Sequence, residues 1–180
     1  MHQETTVGVT VDAYLTHPEE LSLDDINGRD TMLVKTLKVL VHAEHDTLWN
    51  LLLDRLKDPQ RFVPGVTEMR VLEKKDQVTV RELRLHGELV RERVTVRPRD
   101  SEIFHELLEH PQFTGSIVTK VVRTARQSPV APQNLEYHLE LTPKALVVKG
   151  VVHGEAEIVA DLEGEMQKLK SRAEEMESRA

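Results

Sequence analysis

The sequence contains no cysteine, which excludes disulfide bonds, thiolate nucleophiles and cysteine-based zinc sites. Aromatic residues make up only 3% of its 180 positions, too few for the stacking platforms that bind single-stranded nucleic acid. No apolar run approaches the roughly 20 residues that a membrane-spanning helix needs. The first residues also lack the basic and apolar regions of a signal peptide. We therefore expect a cytoplasmic protein without membrane insertion.

Charge and length indicate one globular domain of ordinary composition. The formal net charge is −7, from 31 acidic and 24 basic residues, so neither nucleic acid nor an anionic membrane is an expected partner. A chain of 180 residues is long enough to bury a core. It has no phosphate-binding glycine loop and no nucleophilic serine elbow, and we expect no cofactor.

The most informative stretch is residues 77–97, which has the pattern of a β-hairpin with a charged pair on its inner face. Two segments of alternating polarity flank a Gly-Glu dipeptide at 87–88, which suits a two-residue turn. This turn places Arg81 opposite Val94 and diagonal to Glu92, on a face that is otherwise mostly apolar. An ion pair that faces inward predicts the wall of a cavity.

The strand that follows the hairpin supports this choice of faces. A turn at residues 98–101 sends the chain back and creates two opposite-charge pairs on the outer face: Arg97 with Glu102, and Arg93 with Glu106. Each such pair stabilises a sheet by a few tenths to about 1 kcal/mol. The same register turns His105 inward, opposite Val94 and close to the charged pair of the hairpin.

Hydrophobic spacing predicts the elements around the hairpin. A first strand over residues 32–42 leads into a helix with Asp46 as its N-cap. Trp49 lies in this helix and is interpreted as a core anchor rather than a ligand platform. Further strands are predicted over residues 66–73, 116–126 and 135–141, which gives a six-strand meander when the hairpin and its neighbour are included.

The two ends of the chain differ from the meander between them. Residues 1–30 form an N-terminal extension, interpreted either as an arm packed on the surface or as a lid over a pocket mouth. At the other end, an apolar stripe predicts a long helix that starts between Thr142-Pro143 and His153. The stripe also fits a helix that forms a homodimer, so the oligomeric state stays open.

Residues 58–66 carry the most distinctive motif of the chain, Asp-Pro-Gln-Arg-Phe-Val-Pro-Gly-Val, and are followed by Arg-Glu at 81–82 and Val-Arg-Glu-Arg-Val at 90–94. This pattern resembles the "NPQRFVPGV…RE…VRERV" signature of the AtaL-like family in the SRPBCC superfamily, which includes START, Bet v 1 and polyketide-cyclase proteins. The resemblance covers roughly residues 31–141. The extension over 1–30 and the way the last helix follows the last strand depart from the family pattern.

The resemblance implies an α+β helix-grip (Bet v 1-like) fold over residues 31–180. In this fold a curved seven-stranded antiparallel sheet wraps around a long C-terminal helix, with a hydrophobic cavity between them. Members of the superfamily bind lipids, sterols, polyketides or other apolar molecules, and some catalyse cyclisation or dehydration. Because a fold does not determine a function, all of these ligand classes and reactions stay open.

Three functional hypotheses follow. The first is binding of a hydrophobic small molecule, lipid or polyketide-like, in an internal cavity. The second is a polyketide cyclase or dehydratase that uses acid/base residues of the cavity. The third is a protein-interaction module of the co-chaperone kind, which predicts an exposed apolar patch and no sizeable cavity.

The candidate site residues come from the inner faces of the predicted strands. The expected ligand-binding set is Arg81, Leu83, Glu92, Val94, His105 and Tyr137. Glu92 and His105 are also the catalytic candidates, because a carboxylate and an imidazole in contact are suited to proton transfer. In the alternative interpretation, Arg81 and Glu92 satisfy each other and His105 fills space. The nine histidines show no ligand spacing, so no metal site is predicted.

Overall fold

The structure, a computed structural model, describes residues 32–125, 132–144 and 154–179. Its helices are α1 (His45–Lys57) and α2 (Glu155–Ser178), with short 3-10 turns at Pro59–Arg61 and Pro98–Asp100. Its strands are β1 (Leu33–Val41), β2 (Val66–Lys75), β3 (Val78–Leu85), β4 (Glu88–Arg97), β5 (Glu102–Glu109), β6 (Phe113–Arg123) and β7 (Gln133–Pro143). The predicted extension over residues 1–30 lies outside the described residues, as do residues 145–153, where the C-terminal helix was expected to begin.

The seven strands form one antiparallel sheet in the order β1-β7-β6-β5-β4-β3-β2. Strands β2 to β7 are the predicted meander, and β1 joins it by pairing with β7. The C-terminal helix α2 packs on β1 and α1 and buries Met166, Leu169 and Ala173. These residues share one core cluster with Leu135 and Leu139 of β7. The predicted α+β helix-grip architecture is confirmed.

Strands β3 and β4 pair two residues away from the predicted register. The turn is formed by His86 and Gly87, one residue earlier than predicted, and both have positive φ, 50° and 85°. Two positive φ values are the requirement of a type I′ turn. Arg81 therefore lies directly opposite Glu92 rather than diagonal to it. Because the shift is an even number of residues, every side chain keeps its predicted face.

Tertiary contacts of His86 explain why the turn forms there. The His86 N–H donates to the Gly65 carbonyl at 2.9 Å, and its Nε2 lies 2.7 Å from Asp161 Oδ2 on α2. These contacts hold His86, which is not a glycine, at a positive φ. Local sequence preference alone would place a positive φ only at Gly87.

The register of β4 and β5 is the predicted one, with Val94 opposite His105. The two charge pairs of the outer face are present, each with a 2.6 Å bond: Arg97 to Glu102, and Arg93 to Glu106. Trp49 is partly buried and packs against the main core, as its interpretation as a core anchor expected.

The predicted N-cap of α1 is wrong. The helix begins at His45, with Glu44 as the N-cap and no side-chain capping bond. The Glu44 N–H instead donates to Glu177 Oε1 of α2 at 3.1 Å, so a tertiary contact replaces the local cap. The Asp46 carboxylate lies 3.0 Å from the His45 ring.

The helix start at Thr142-Pro143 is also wrong, because both residues belong to β7. They pair with Thr114 and Phe113 of β6, and the next residue, Lys144, donates its N–H to Gln112. A proline fits at a strand end, where its missing N–H interrupts little of the hydrogen-bond ladder. The described part of α2 begins at Glu155, near the later of the two predicted starts.

Candidate functional site

A cavity of about 100 Å³ lies between the inner face of the sheet and α2. Most of its wall is apolar and comes from five strands, α2 and the segment before β2: Val63, Val66, Leu83, Leu85, Val90, Leu107, Ile117, Ile158 and Leu162. The inner faces of β2 to β6 supply the strand residues because alternate side chains of a strand share a face. Six of the polar lining residues form a connected network, which we call the polar base: Arg55, Arg81, Glu92, His105, Tyr137 and Glu165.

The first part of the polar base is the predicted cluster on β3, β4 and β5. Arg81 Nε donates to Glu92 Oε1 at 2.7 Å, and an Arg81 Nη1 hydrogen goes to the Leu56 carbonyl at 2.6 Å. His105 Nδ1 lies 3.0 Å from Glu92 Oε2. All three side chains are buried, with 4–7% of their surface exposed. The structure thus brings together the three residues expected to meet.

The second part of the polar base joins the predicted Tyr137 of β7 to two residues that were not predicted, one from each helix. Arg55 of α1 donates from Nη2 to His105 Nε2 at 3.0 Å and from Nη1 to the Tyr137 hydroxyl at 3.1 Å. Its Nη1 also donates to Glu165 Oε1 of α2, and the Tyr137 hydroxyl donates to the same oxygen. Arg55 therefore connects α1, α2, β5 and β7 in one buried network.

The hydrogen bonds assign the protonation of His105. Its Nε2 faces a guanidinium, which has no acceptor, so Nε2 must accept, and its Nδ1–H must donate to Glu92. Burial lowers the pKa of His105. The Glu92 carboxylate acts to raise this pKa, and the cations Arg55 and Arg81 act to lower it. His105 is therefore a neutral imidazole whose two nitrogens are both engaged.

The charges of the polar base compensate each other. Burial opposes the charge of Glu92, but Arg81 and His105 outweigh it and hold the pKa of Glu92 well below its usual range. Burial likewise opposes the charge of Arg55, and the Glu165 carboxylate with its neighbours raises the pKa of Arg55 above its usual value. Burial and Glu165 raise the pKa of Tyr137, so its hydroxyl stays protonated. Two cations and two anions leave the base neutral.

The predicted site residues fall into two groups. Arg81, Leu83, Glu92, His105 and Tyr137 line the cavity, whereas the lining does not include Val94, which is buried in the main core beside Ile103. Their roles in ligand binding or catalysis stay predictions.

Sequence analysis missed five polar lining residues: Arg55, His110, Thr119, Asp161 and Glu165. Arg55 follows Leu48 and Leu52 by seven and three positions, so helical spacing alone places it on the buried face of α1. Glu165 precedes Leu169 by four positions on α2, which gives the same signal. The charged residues at these inward-facing helix positions could have been predicted to pair with the inward-facing charges of the sheet.

The mouth of the cavity lies where the β3–β4 turn approaches α2. We use the term mouth for Leu85, His86, Ile158 and Asp161, which line a second, more open pocket against residues 110–112. His86 and Asp161 form the contact across it, at 2.7 Å.

The described residues lack both a metal-binding cluster and a membrane-spanning helix. Within residues 32–125, 132–144 and 154–179, no group of three or more His, Asp and Glu side chains is arranged to hold a metal ion. None of the described helices combines the length and apolar character that crossing a membrane requires.

The sheet, the gripping helix and the cavity between them define a protein of the helix-grip class, a fold that it shares with several solved structures. The ZhuI aromatase/cyclase from Streptomyces sp. R1128 is 20% identical over 79% of this chain and 94% of its own, with a TM-score of 0.63. A START superfamily protein from Mycobacterium smegmatis is 20% identical over 81% of this chain and 98% of its own, with a TM-score of 0.57. Similarity at this level establishes the fold.

Within that class, the chain belongs to the AtaL family, described as "Acetylaranotin biosynthesis cluster protein L", which matches residues 36–144. The di-domain aromatase/cyclase StfQ from the steffimycin biosynthetic pathway is also similar: it is 19% identical, with a TM-score of 0.67. That match covers 86% of this chain and 55% of StfQ. Comparison with functionally curated proteins gives no significant match.

Proposed function

We propose that this protein binds a mainly apolar small molecule, lipid or polyketide-like, in the cavity between its sheet and α2. The observation that carries the proposal is the composition of the wall: nine apolar residues surround a space that ends on a neutral, internally bonded polar base. Apolar walls with a few fixed polar groups are typical of small-molecule pockets. The hydrophobic effect would drive binding, and the polar base would orient the ligand.

The volume limits what the cavity accommodates as it stands. Dry apolar cavities of about 150 Å³ bind benzene, so a space of about 100 Å³ fits part of a longer molecule and must expand slightly to hold a single ring. Pockets for larger ligands enclose roughly 300 Å³ or more. A polyketide-sized or lipid-sized ligand therefore requires the mouth between His86 and Asp161 to widen.

The test uses native mass spectrometry of protein purified from its host, followed by titration with a panel of apolar lipids and polyketides. We expect a bound apolar molecule or saturable binding from the panel. The variant Ile117→Phe fills the cavity and should abolish binding, whereas Val118→Phe, on the neighbouring position of the opposite face, should leave it intact. A ligand-free spectrum with no binding in the panel would contradict the proposal.

A second candidate is a cyclase or dehydratase activity with Glu92 or His105 as the acid/base. The likeness to two aromatase/cyclases favours it. The hydrogen bonds weigh against it, because His105 Nε2 accepts from Arg55 and both Glu92 oxygens accept from neighbours. Activity on a polyketide substrate that survives both Glu92→Gln and His105→Ala would eliminate this mechanism.

A further inference from the structure

Thr119 is an unpaired polar group in a site where most polar groups are paired. Its hydroxyl is fully buried and has no hydrogen-bond partner among the described residues, although Thr119 lines the cavity. Arg55, another residue of the cavity lining, also has a buried atom without a partner in the described part of the chain, its Nε. An unsatisfied buried hydroxyl costs about 1–3 kcal/mol, and a ligand that supplies a partner recovers that free energy.

The position of Thr119 follows from the sheet. It lies on the inner face of β6, between Ile103 of β5 and Tyr137 of β7. Its neighbours on the same face, Ile117 and Val121, are apolar, so Thr119 is an isolated hydroxyl in an apolar stretch of β6. Valine has nearly the same shape and would fill the same space without an unsatisfied group.

The charge of the surroundings selects the class of ligand. Arg55 and Arg81 are paired with Glu165 and Glu92, so no net charge attracts an ionised ligand. His110, at the edge of the cavity, accepts two backbone N–H groups at Nδ1, at 3.1 and 3.2 Å, and is therefore neutral. An additional charge in this enclosed space would be desolvated without a counter-charge, which is strongly unfavourable.

We propose that the ligand is an uncharged, mainly apolar molecule with a carbonyl oxygen, and that the Thr119 hydroxyl donates a hydrogen bond to this oxygen. The inference rests on the proposed function, since it specifies the ligand of the same cavity. Donation satisfies the hydroxyl, and the carbonyl oxygen, as an acceptor without charge, fits the neutral surroundings. The Nε–H of Arg55, a residue of the same lining, is a second donor.

Three six-membered rings of similar shape test the proposal: cyclohexanone, methylenecyclohexane and cyclohexanecarboxylate. Each is titrated into the full chain, and the dissociation constant is measured from NMR shifts of the wall residues. The ratio of ketone affinity to hydrocarbon affinity should be about 3–10 times higher in the wild type than in Thr119→Val, because one neutral hydrogen bond is lost. The carboxylate should bind at least 10 times more weakly than the ketone.

Two readouts separate a ligand contact from a structural role. Thr119→Val should unfold at the same or a higher denaturant concentration than the wild type, since it removes an unsatisfied group. Thr95→Val, on the outer face of β4, is the matched control and should leave the affinity ratio unchanged.

An equal ratio in wild type and Thr119→Val, or preference for the carboxylate, would overturn the Thr119 proposal while the cavity still binds. Failure of all three rings to bind would instead contradict the cavity as a binding site.

Discussion

Gly115 lies on β6, where a side chain would meet the backbone of β7. Its φ of +121° lies in a region that side chains rarely adopt, and a Cβ there would stand 2.0 Å from the Glu140 carbonyl oxygen. Gly115→Ala should therefore cost about 3 kcal/mol of unfolding free energy, from backbone strain plus a clash with backbone that cannot yield. Chemical denaturation measures this loss of unfolding free energy.

Gly87 provides the matched control for this change. Its φ is +85°, but a Cβ at Gly87 would have no atom within 4 Å. Gly87→Ala should cost only the strain of the left-handed conformation, about 1 kcal/mol. Equal costs at the two positions would show that close packing of β6 on β7 contributes nothing.

At the residue scale, the sequence could predict which side chains face inward but not which atoms meet. Alternation placed Arg81, Glu92 and His105 on one face. This placement was correct despite a two-residue error in the register of β3 and β4, because an even shift leaves each side chain on the same face. The partner Glu165 is 110 positions from Arg55, and no local pattern connects two such distant helical residues. Their contact depends on how α1 and α2 pack, which is a tertiary property.

At the scale of elements, a buried ion pair fastens α2 to α1. The Arg55 and Glu165 side chains are only 5% and 3% exposed. Glu165→Gln should cost about 3 kcal/mol of unfolding free energy, because it leaves the Arg55 charge buried without a counter-charge. The measurement is again chemical denaturation, with circular dichroism as the probe.

The exposed pair of Arg93 and Glu106 gives the comparison. These side chains are 46% and 42% exposed on the outer face of the sheet, at 2.6 Å. Glu106→Gln should change stability by less than about 0.5 kcal/mol. If Glu165→Gln were equally mild, Arg55 would have to find solvent or another acceptor, and the network would not fasten the helices.

The errors in element boundaries share a physical cause. Sequence preference chose Asp46 as a cap and Thr142 as a helix start, since both fit local rules. The structure instead uses contacts with distant residues: Glu177 binds the first turn of α1, and Thr114 pairs with Thr142 in the sheet. The type and order of the elements were predictable from hydrophobic periodicity, whereas their ends depended on tertiary contacts.

At the scale of the whole molecule, the polar base makes stability depend on pH. Burial holds the pKa of His105 below the ordinary histidine value of 6.5, so below that pH the unfolded chain takes up a proton that the folded chain does not. The pKa of Glu92 is lowered from 4.5, so its stabilisation is complete above that pH and is lost as the pH falls further. Both shifts have the same sign, and acid should destabilise the fold in two successive windows.

The variant His105→Gln isolates the upper window. The amide keeps one donor and one acceptor but does not titrate, so the variant should lose less stability than the wild type between pH 7 and pH 5. The difference should be about 1 kcal/mol, since one proton contributes at most about 1.4 kcal/mol per pH unit. His110, whose pKa burial also lowers, should leave a residual slope in the variant. Identical pH profiles of urea denaturation for wild type and variant would mean that His105 takes up a proton as readily in the fold as in the unfolded chain. In that case the bond from Arg55 to its Nε2, on which the neutrality of the polar base depends, would not exist in solution.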